Sequence, residues 1–79
     1  MTFPSRETVA AIRAQYPAGA RVELVRMNDP FSRMQPGERG RVIQVDDTGT
    51  VHTLWDNGST LGALYGEDII KLVREGDEA

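Results

Sequence analysis

The 79 residues contain no cysteine, which excludes disulfides and thiolate metal sites. A small domain without staples suits a reducing compartment, so the expected location is the cytoplasm. Aromatic residues are scarce, with one Trp, two Tyr and two Phe. A polyproline-binding groove needs several parallel aromatic ridges, and this chain supplies it poorly. His52 is the lone histidine, and neither a Gly-x-x-x-x-Gly-Lys loop nor a dinucleotide fingerprint occurs. No apolar run approaches the roughly 18 residues of a membrane span. Met1-Thr2-Phe3-Pro4-Ser5-Arg6 has no basic region followed by an apolar stretch, so no secretory signal is expected.

What is present fits one small domain with a thin stability margin, because a chain of this size buries only about 60–65% of its unfolded surface. The formal charge is −3 and the nine basic residues are scattered along the chain. Arg33, Arg39 and Arg41 come nearest to the basic stripe of a nucleic-acid binder, with Glu38, Asp46 and Asp47 close by in sequence.

Local pattern divides the chain into a helix and strands. Ser5 is an N-cap behind Pro4, Glu7 suits the first turn, and Val9, Ile12 and Tyr16 make one apolar stripe. Pro17 and Gly19 end this helix, which is too short to persist without docking. Strands are expected at 21–27, with Val22 and Leu24 on one face, and at 40–45, 50–55, 59–63 and 69–73. Val51, Thr53 and Trp55 alternate with His52 and Leu54. Asp46-Asp47-Thr48-Gly49 and Asp56-Asn57-Gly58 are hairpin turns. Residues 28–36 form an irregular loop, and 65–68 a helical turn or tight loop.

The expected class is therefore mainly β: about five short strands in a small barrel, closed or nearly so to hide its edges, with a short N-terminal α-helix. The expected layout is an amphipathic helix over 1–17 packed on the barrel, the barrel over 18–74 and an acidic flexible tail over 75–79. The predicted core is Val9, Ile12, Tyr16, Val22, Leu24, Val42, Val51 and Trp55.

Four segments resemble a known family: Tyr16-Pro17-x-Gly19-x-Arg21-Val22-Glu23-Leu24, Pro36-Gly37-x-x-Gly40-x-Val42, Val45-Asp46-Asp47-x-Gly49-Thr50-Val51-His52, and Trp55-Asp56-Asn57-Gly58-Ser59. The family is a set of small bacterial and phage domains known only as a domain of unknown function, DUF 4314. More distantly, the chain is similar to the SH3-like module of the Mind bomb and HERC2 ubiquitin ligases. The resemblance implies an SH3-like barrel and a gene carried by a phage or integrated element. It brings no catalytic residues. The chain lacks the aromatic-rich first half of the eukaryotic modules, so their partner recognition does not transfer.

Each candidate site has a bland reading beside a functional one. Trp55 is a core plug with Tyr65 nearby, or a ligand platform. Phe31, Arg33 and Met34 in the 28–36 loop form an apolar anchor for a partner, or Phe31 and Met34 fold beneath the loop; Phe, Met and Arg are frequent in interface cores. His52 is expected on the outer face, where a metal site would need converging carboxylates. Asp47-Thr48-Gly49 spells the aspartic-protease triplet, but Asp46 intervenes where an apolar strand should lead in, and a hairpin explains the turn. No metal and no cofactor is expected.

The function expected is a non-enzymatic protein-interaction module, a small phage or mobile-element accessory protein that binds an unidentified partner through the 28–36 loop, as monomer or homodimer. The alternative is RNA or DNA binding through an SH3-like or KOW-type barrel, with Arg33, Arg39 and Arg41 on phosphates.

Overall fold

Ser5 starts the first element as its pattern predicts. In the computed structural model, which describes residues 4–27 and 34–74, Ser5 has extended backbone angles and its Oγ accepts the Thr8 amide at 3.2 Å. This satisfies one of the orphan donors at the helix start. Helix α1 runs from Arg6 to Gln15 and ends where the Tyr16 amide donates to the Ile12 carbonyl at 2.8 Å. Ten residues are too few for a stable free helix. Docking supplies the rest: Val9 is buried, and Ile12 and Tyr16 pack against the core. Arg13 adds a tether, its Nε donating to the Val45 carbonyl at 3.1 Å and its Nη2 pairing with Asp47 Oδ1 at 2.7 Å.

Five strands follow: β1 (Arg21–Arg26), β2 (Arg39–Val45), β3 (Val51–Trp55), β4 (Gly62–Ala63) and β5 (Ile69–Leu72). They make one antiparallel sheet in the order β4-β3-β2-β1-β5. The first four strands form a meander, and β5 returns to lie beside β1. The fold is thus mainly β with one N-terminal helix, and β4 and β5 stand at the two edges with no ladder between them among the described residues.

Alternation decides the faces. Val22, Leu24, Val42, Val45, Val51, Trp55 and Ala63 form the buried cluster, and Ile12, Tyr16, Ala20, Met27, Met34 and Ile70 pack against it. Thr53 is completely buried between Val51 and Trp55, its Oγ1 donating to the Val51 carbonyl at 3.3 Å. The ladder registers shift between Val42 and Gln44 and between Leu24 and Arg26, as bulges do where a strand bends.

Two glycines have a task other than turning the chain. A Cβ at Gly40 would lie 2.6 Å from the Leu54 carbonyl oxygen and 2.8 Å from the Trp55 Cα, so only glycine lets β2 cross so close to β3. At Gly62 the same atom would lie 2.6 Å from Thr50 Cγ2.

The fourth strand is shorter than its pattern suggests. Expected over 59–63, it is confined to Gly62 and Ala63. The backbone before it is engaged otherwise: the Ser59 amide donates to Asn57 Oδ1, the Ser59 carbonyl accepts the Trp55 amide, and the Leu61 carbonyl accepts the Trp55 indole. Residues 75–79, read from sequence as an acidic tail, lie outside the described residues.

Candidate functional site

Beside the helix, the described structure has an apolar groove of about 450 Å³. Ile12 of helix α1 and its C-cap Tyr16 form one wall, Val51 and Ala63 line it from the sheet, and the 64–70 segment forms the other wall. Leu64, Tyr65 and Ile69 on that wall are 40%, 52% and 49% exposed, large apolar surfaces that the fold leaves uncovered. The wall is held in shape by its own hydrogen bonds. Asp68 Oδ2 accepts the Leu64 amide at 2.9 Å, and the Leu64 carbonyl accepts the Glu67 and Asp68 amides. Gly49 forms part of the groove, and a Cβ there would press to 3.0 Å on Pro4 Cγ and 3.3 Å on Ile12 Cδ1.

The opposite face of the β1–β2–β5 ladder is charged. Arg39 and Arg41 flank buried Gly40 on β2 and so point away from the core, as Arg21 and Glu23 do on β1. The register sets Arg21 opposite Arg41 and places Glu23 between Arg39 and Lys71. Glu23 pairs with Arg39 at 3.1 Å and Lys71 at 3.3 Å, and those hydrogen bonds hold its carboxyl below the usual range. Arg21 grips Asp56 with both terminal guanidinium nitrogens, Nη1 donating to Oδ1 at 2.7 Å and Nη2 to Oδ2 at 2.5 Å. Asp56 is likewise lowered, first by the Arg21 hydrogen bond, with the fields of Arg21, Arg41 and Arg39 adding to it. Next to this array lies a shallow concavity of about 550 Å³, lined by Glu23, Arg39, Lys71, Leu72, Val73 and Arg74.

The β2–β3 turn is organised by one carboxylate. Asp46 Oδ1 accepts the Thr48 amide, the Thr48 hydroxyl and the Thr50 amide at 2.9, 2.6 and 3.1 Å. Its Oδ2 lies 2.8 Å from His52 Nε2. An ionised carboxylate only accepts, so the shared proton sits on that nitrogen. The Thr48 hydroxyl contributes most to a carboxyl held far below the ordinary range, with His52 and the two amides behind it. Asp47 points outward, 98% exposed, and pairs with Arg13, so the triplet it begins has no sheltered pair of carboxylates. Among the described residues no three His, Cys, Asp or Glu side chains gather as a metal site.

The residues singled out from sequence are not brought to one place. Phe31 and Arg33 lie outside the described residues. Met34 is half-buried against the core, and its sulfur accepts from Asn57 Nδ2 at 3.1 Å. Arg39 and Arg41 share the charged face; Arg39 is engaged with Glu23, and Arg41 donates to the Gly19 carbonyl at 3.3 Å. Trp55 is 1% exposed with its indole donating to Leu61, which makes it core and removes it as a platform. Tyr65 lines the groove wall near Gly49, away from Trp55's place in the core. Sequence reading missed the groove wall. The available signal was a cluster of apolar residues, Leu61, Leu64, Tyr65 and Ile69, around a stretch read as a turn.

One antiparallel five-stranded sheet flanked by a short N-terminal helix defines a small, mainly β domain. The family model described as Domain of unknown function (DUF4314) matches residues 5–73, and the chain belongs to that family. No curated protein and no solved structure matches the chain. Among the described residues, no helix is long and apolar enough to cross a membrane.

Proposed function

We propose that the chain is a non-enzymatic protein-interaction module that takes an apolar segment of a partner protein in the groove between α1 and the 64–70 wall. The observation that carries this reading is the exposure of Leu64, Tyr65 and Ile69 along a groove whose other lining is mainly apolar. Isolated exposed apolar residues are ordinary, whereas a contiguous apolar concavity marks a binding surface. The matching occupant is a segment with two or three large aliphatic or aromatic side chains, each worth roughly 1.5–3 kcal/mol when buried. Gln15 at the groove adds a polar side chain beside the backbone of the occupant.

The reading moves the contact surface from the 28–36 loop, where sequence placed it, to the helix side of the sheet. We read the chain further as a cytoplasmic accessory protein of a phage or mobile element, which rests on the family resemblance and the cysteine-free composition.

The test is a peptide-display selection against the folded domain and against a Leu64→Ser/Tyr65→Ser variant. Both side chains are exposed, so circular dichroism of the variant should match the parent. Enrichment of apolar peptides that stay bound at high salt, and fail to bind the variant, supports the reading. Equal enrichment by parent and variant, or none, overturns it. Dimerisation in sedimentation that the variant abolishes would assign the groove to a second copy instead.

A further inference from the structure

We propose that the Asn57-Gly58 peptide is a self-modification site: a deamidation switch that the folded hairpin holds closed and that, once converted, unlinks the 56–58 turn from the 35–38 turn. Asn57 lies in the tight turn after β3, exposed to water. Gly58 follows it with φ +91° and nothing within 4 Å of where a Cβ would stand. Asparagine before glycine is the pairing in which the next backbone nitrogen reaches the side-chain amide with least hindrance, because the attacking residue carries no Cβ.

The step needs no enzyme and no reagent but water. The Gly58 amide nitrogen gives up its proton to solvent and attacks the Asn57 side-chain carbonyl carbon. The bond from that carbon to Nδ2 breaks, and the amide leaves as ammonia after taking a proton from solvent. Water then opens the succinimide ring at either of its carbonyls. One opening leaves aspartate at position 57, and the other leaves isoaspartate with an added methylene in the main chain.

The fold holds both reacting groups. The Gly58 amide donates to the Trp55 carbonyl at 2.9 Å, so its proton is engaged and its nitrogen fixed in the turn. The Asn57 side chain is held at both ends: Oδ1 accepts the Ser59 amide at 2.8 Å, and Nδ2 donates to Glu38 Oε1 at 3.0 Å and to the Met34 sulfur at 3.1 Å. Ring closure requires the side chain to turn onto its own main chain, and these bonds must break first. Reaction therefore runs through local opening of the turn.

The same bonds decide what conversion does. Nδ2 links the turn to Glu38, whose Oε2 also accepts the Gln35 amide at 2.7 Å. After hydrolysis the side chain at position 57 is a carboxylate, which only accepts. It faces the Glu38 carboxylate with no donor between them, and repulsion replaces attraction. Isoaspartate goes further, because its added main-chain atom lengthens a turn whose closure brings the Trp55 amide to the Ser59 carbonyl at 2.8 Å. Ammonia is lost to solvent, so the change runs one way. It is independent of the groove and stands whether or not the groove binds a peptide.

The experiment is peptide mapping by mass spectrometry of the folded chain held in mildly alkaline buffer, beside the same chain in concentrated urea. The expected result is conversion of Asn57 to aspartate and isoaspartate in both, at least about tenfold slower in the folded chain. Glu38→Ala removes the carboxylate partner of Nδ2 and should bring the folded rate toward that in urea. Tyr16→Phe, which weakens the fold at α1 and β5, should keep the parent's slow rate. Asn57→Asp, with its circular dichroism unchanged, should melt several degrees below the parent. No conversion of Asn57 in urea, or equal rates with and without urea, overturns the proposal. So does equal acceleration by Glu38→Ala and Tyr16→Phe, which assigns protection to global stability, or an Asn57→Asp variant that melts with the parent.

Discussion

The hydroxyl of Tyr16, the residue that caps the C-terminus of α1, donates to the carbonyl of Ile70 on edge strand β5 at 3.3 Å. Helix and sheet edge are 54 residues apart in sequence, and this bond ties them beside the groove. Desolvation pushes the Tyr16 phenol above its ordinary pKa, so the hydroxyl remains a donor well into alkaline pH. An edge strand otherwise presents unpaired backbone to any passing strand, and the Tyr16 hydroxyl occupies one carbonyl of this one.

Tyr16→Phe removes that bond and keeps the ring. The expected cost is about 0.5–1.5 kcal/mol. For a domain of this size each kcal/mol lowers Tm by roughly 4–8 °C. Thermal denaturation gives the total, and amide exchange should show the loss concentrated in α1 and β5. A uniform rise in exchange across β2 and β3 would mean that Tyr16 supports the whole core and not the edge.

Trp55→Ala should leave little folded protein, because removing a buried tryptophan costs about 3–5 kcal/mol and the stability margin is small. Trp55→Phe separates packing from hydrogen bonding: it keeps much of the ring and orphans the Leu61 carbonyl that the indole satisfies at 2.9 Å. An expected further cost of about 1–3 kcal/mol for the unsatisfied group can be read by urea denaturation.

Asp46 makes stability depend on acid. Its carboxyl is held well below the usual range in the folded chain, by the Thr48 hydroxyl first and then by His52 and the Thr48 and Thr50 amides. In the unfolded chain it titrates near pH 3.9. Between the two values the unfolded state binds the extra proton, so this stabilisation is present above about pH 4–5 and is lost as pH falls toward the folded pKa. Asp46→Asn should be less stable than the parent at neutral pH, and its denaturation midpoint should fall less steeply between about pH 5 and 2. Parallel curves for the two proteins would remove Asp46 from the account.

Gly40→Ala tests how closely β2 and β3 approach. The new methyl would sit 2.6 Å from a backbone oxygen that belongs to a hydrogen-bonded ladder and has nowhere to move. The expected destabilisation is about 1–3 kcal/mol, as for other overpacked sites. The contrasting Gly37→Ala, where nothing lies within 4 Å but φ is +95°, should cost only the strain of a left-handed residue. Comparable thermal melts for parent and Gly40→Ala would mean that the strands can separate without cost.

The elements that sequence made legible are those governed by local rules. Ser5 caps α1, Gly49 and Gly58 take positive φ in their turns, and Val51, Thr53 and Trp55 face inward by simple alternation. Strand β4 was overestimated because Asn57, Ser59 and Trp55 capture the backbone between the turn and Gly62, a competition that alternation does not register. In the sequence Asp46 is one turn residue among several. Its four contacts, including His52, form only when the turn has closed and β3 has paired.

By itself, the sequence determined a mainly β domain with a capped, docked N-terminal helix and turns at 46–49 and 56–58, because caps, turn glycines and period-two alternation act over a few residues. Only the tertiary structure decided the surfaces. Basic residues scattered from Arg21 to Arg74 gather on one face because antiparallel register sets distant residues opposite one another. Leu64, Tyr65 and Ile69 become a groove wall only because α1 packs across from them. Register and packing are long-range consequences of pairing strands distant in sequence, and no short window of residues contains them.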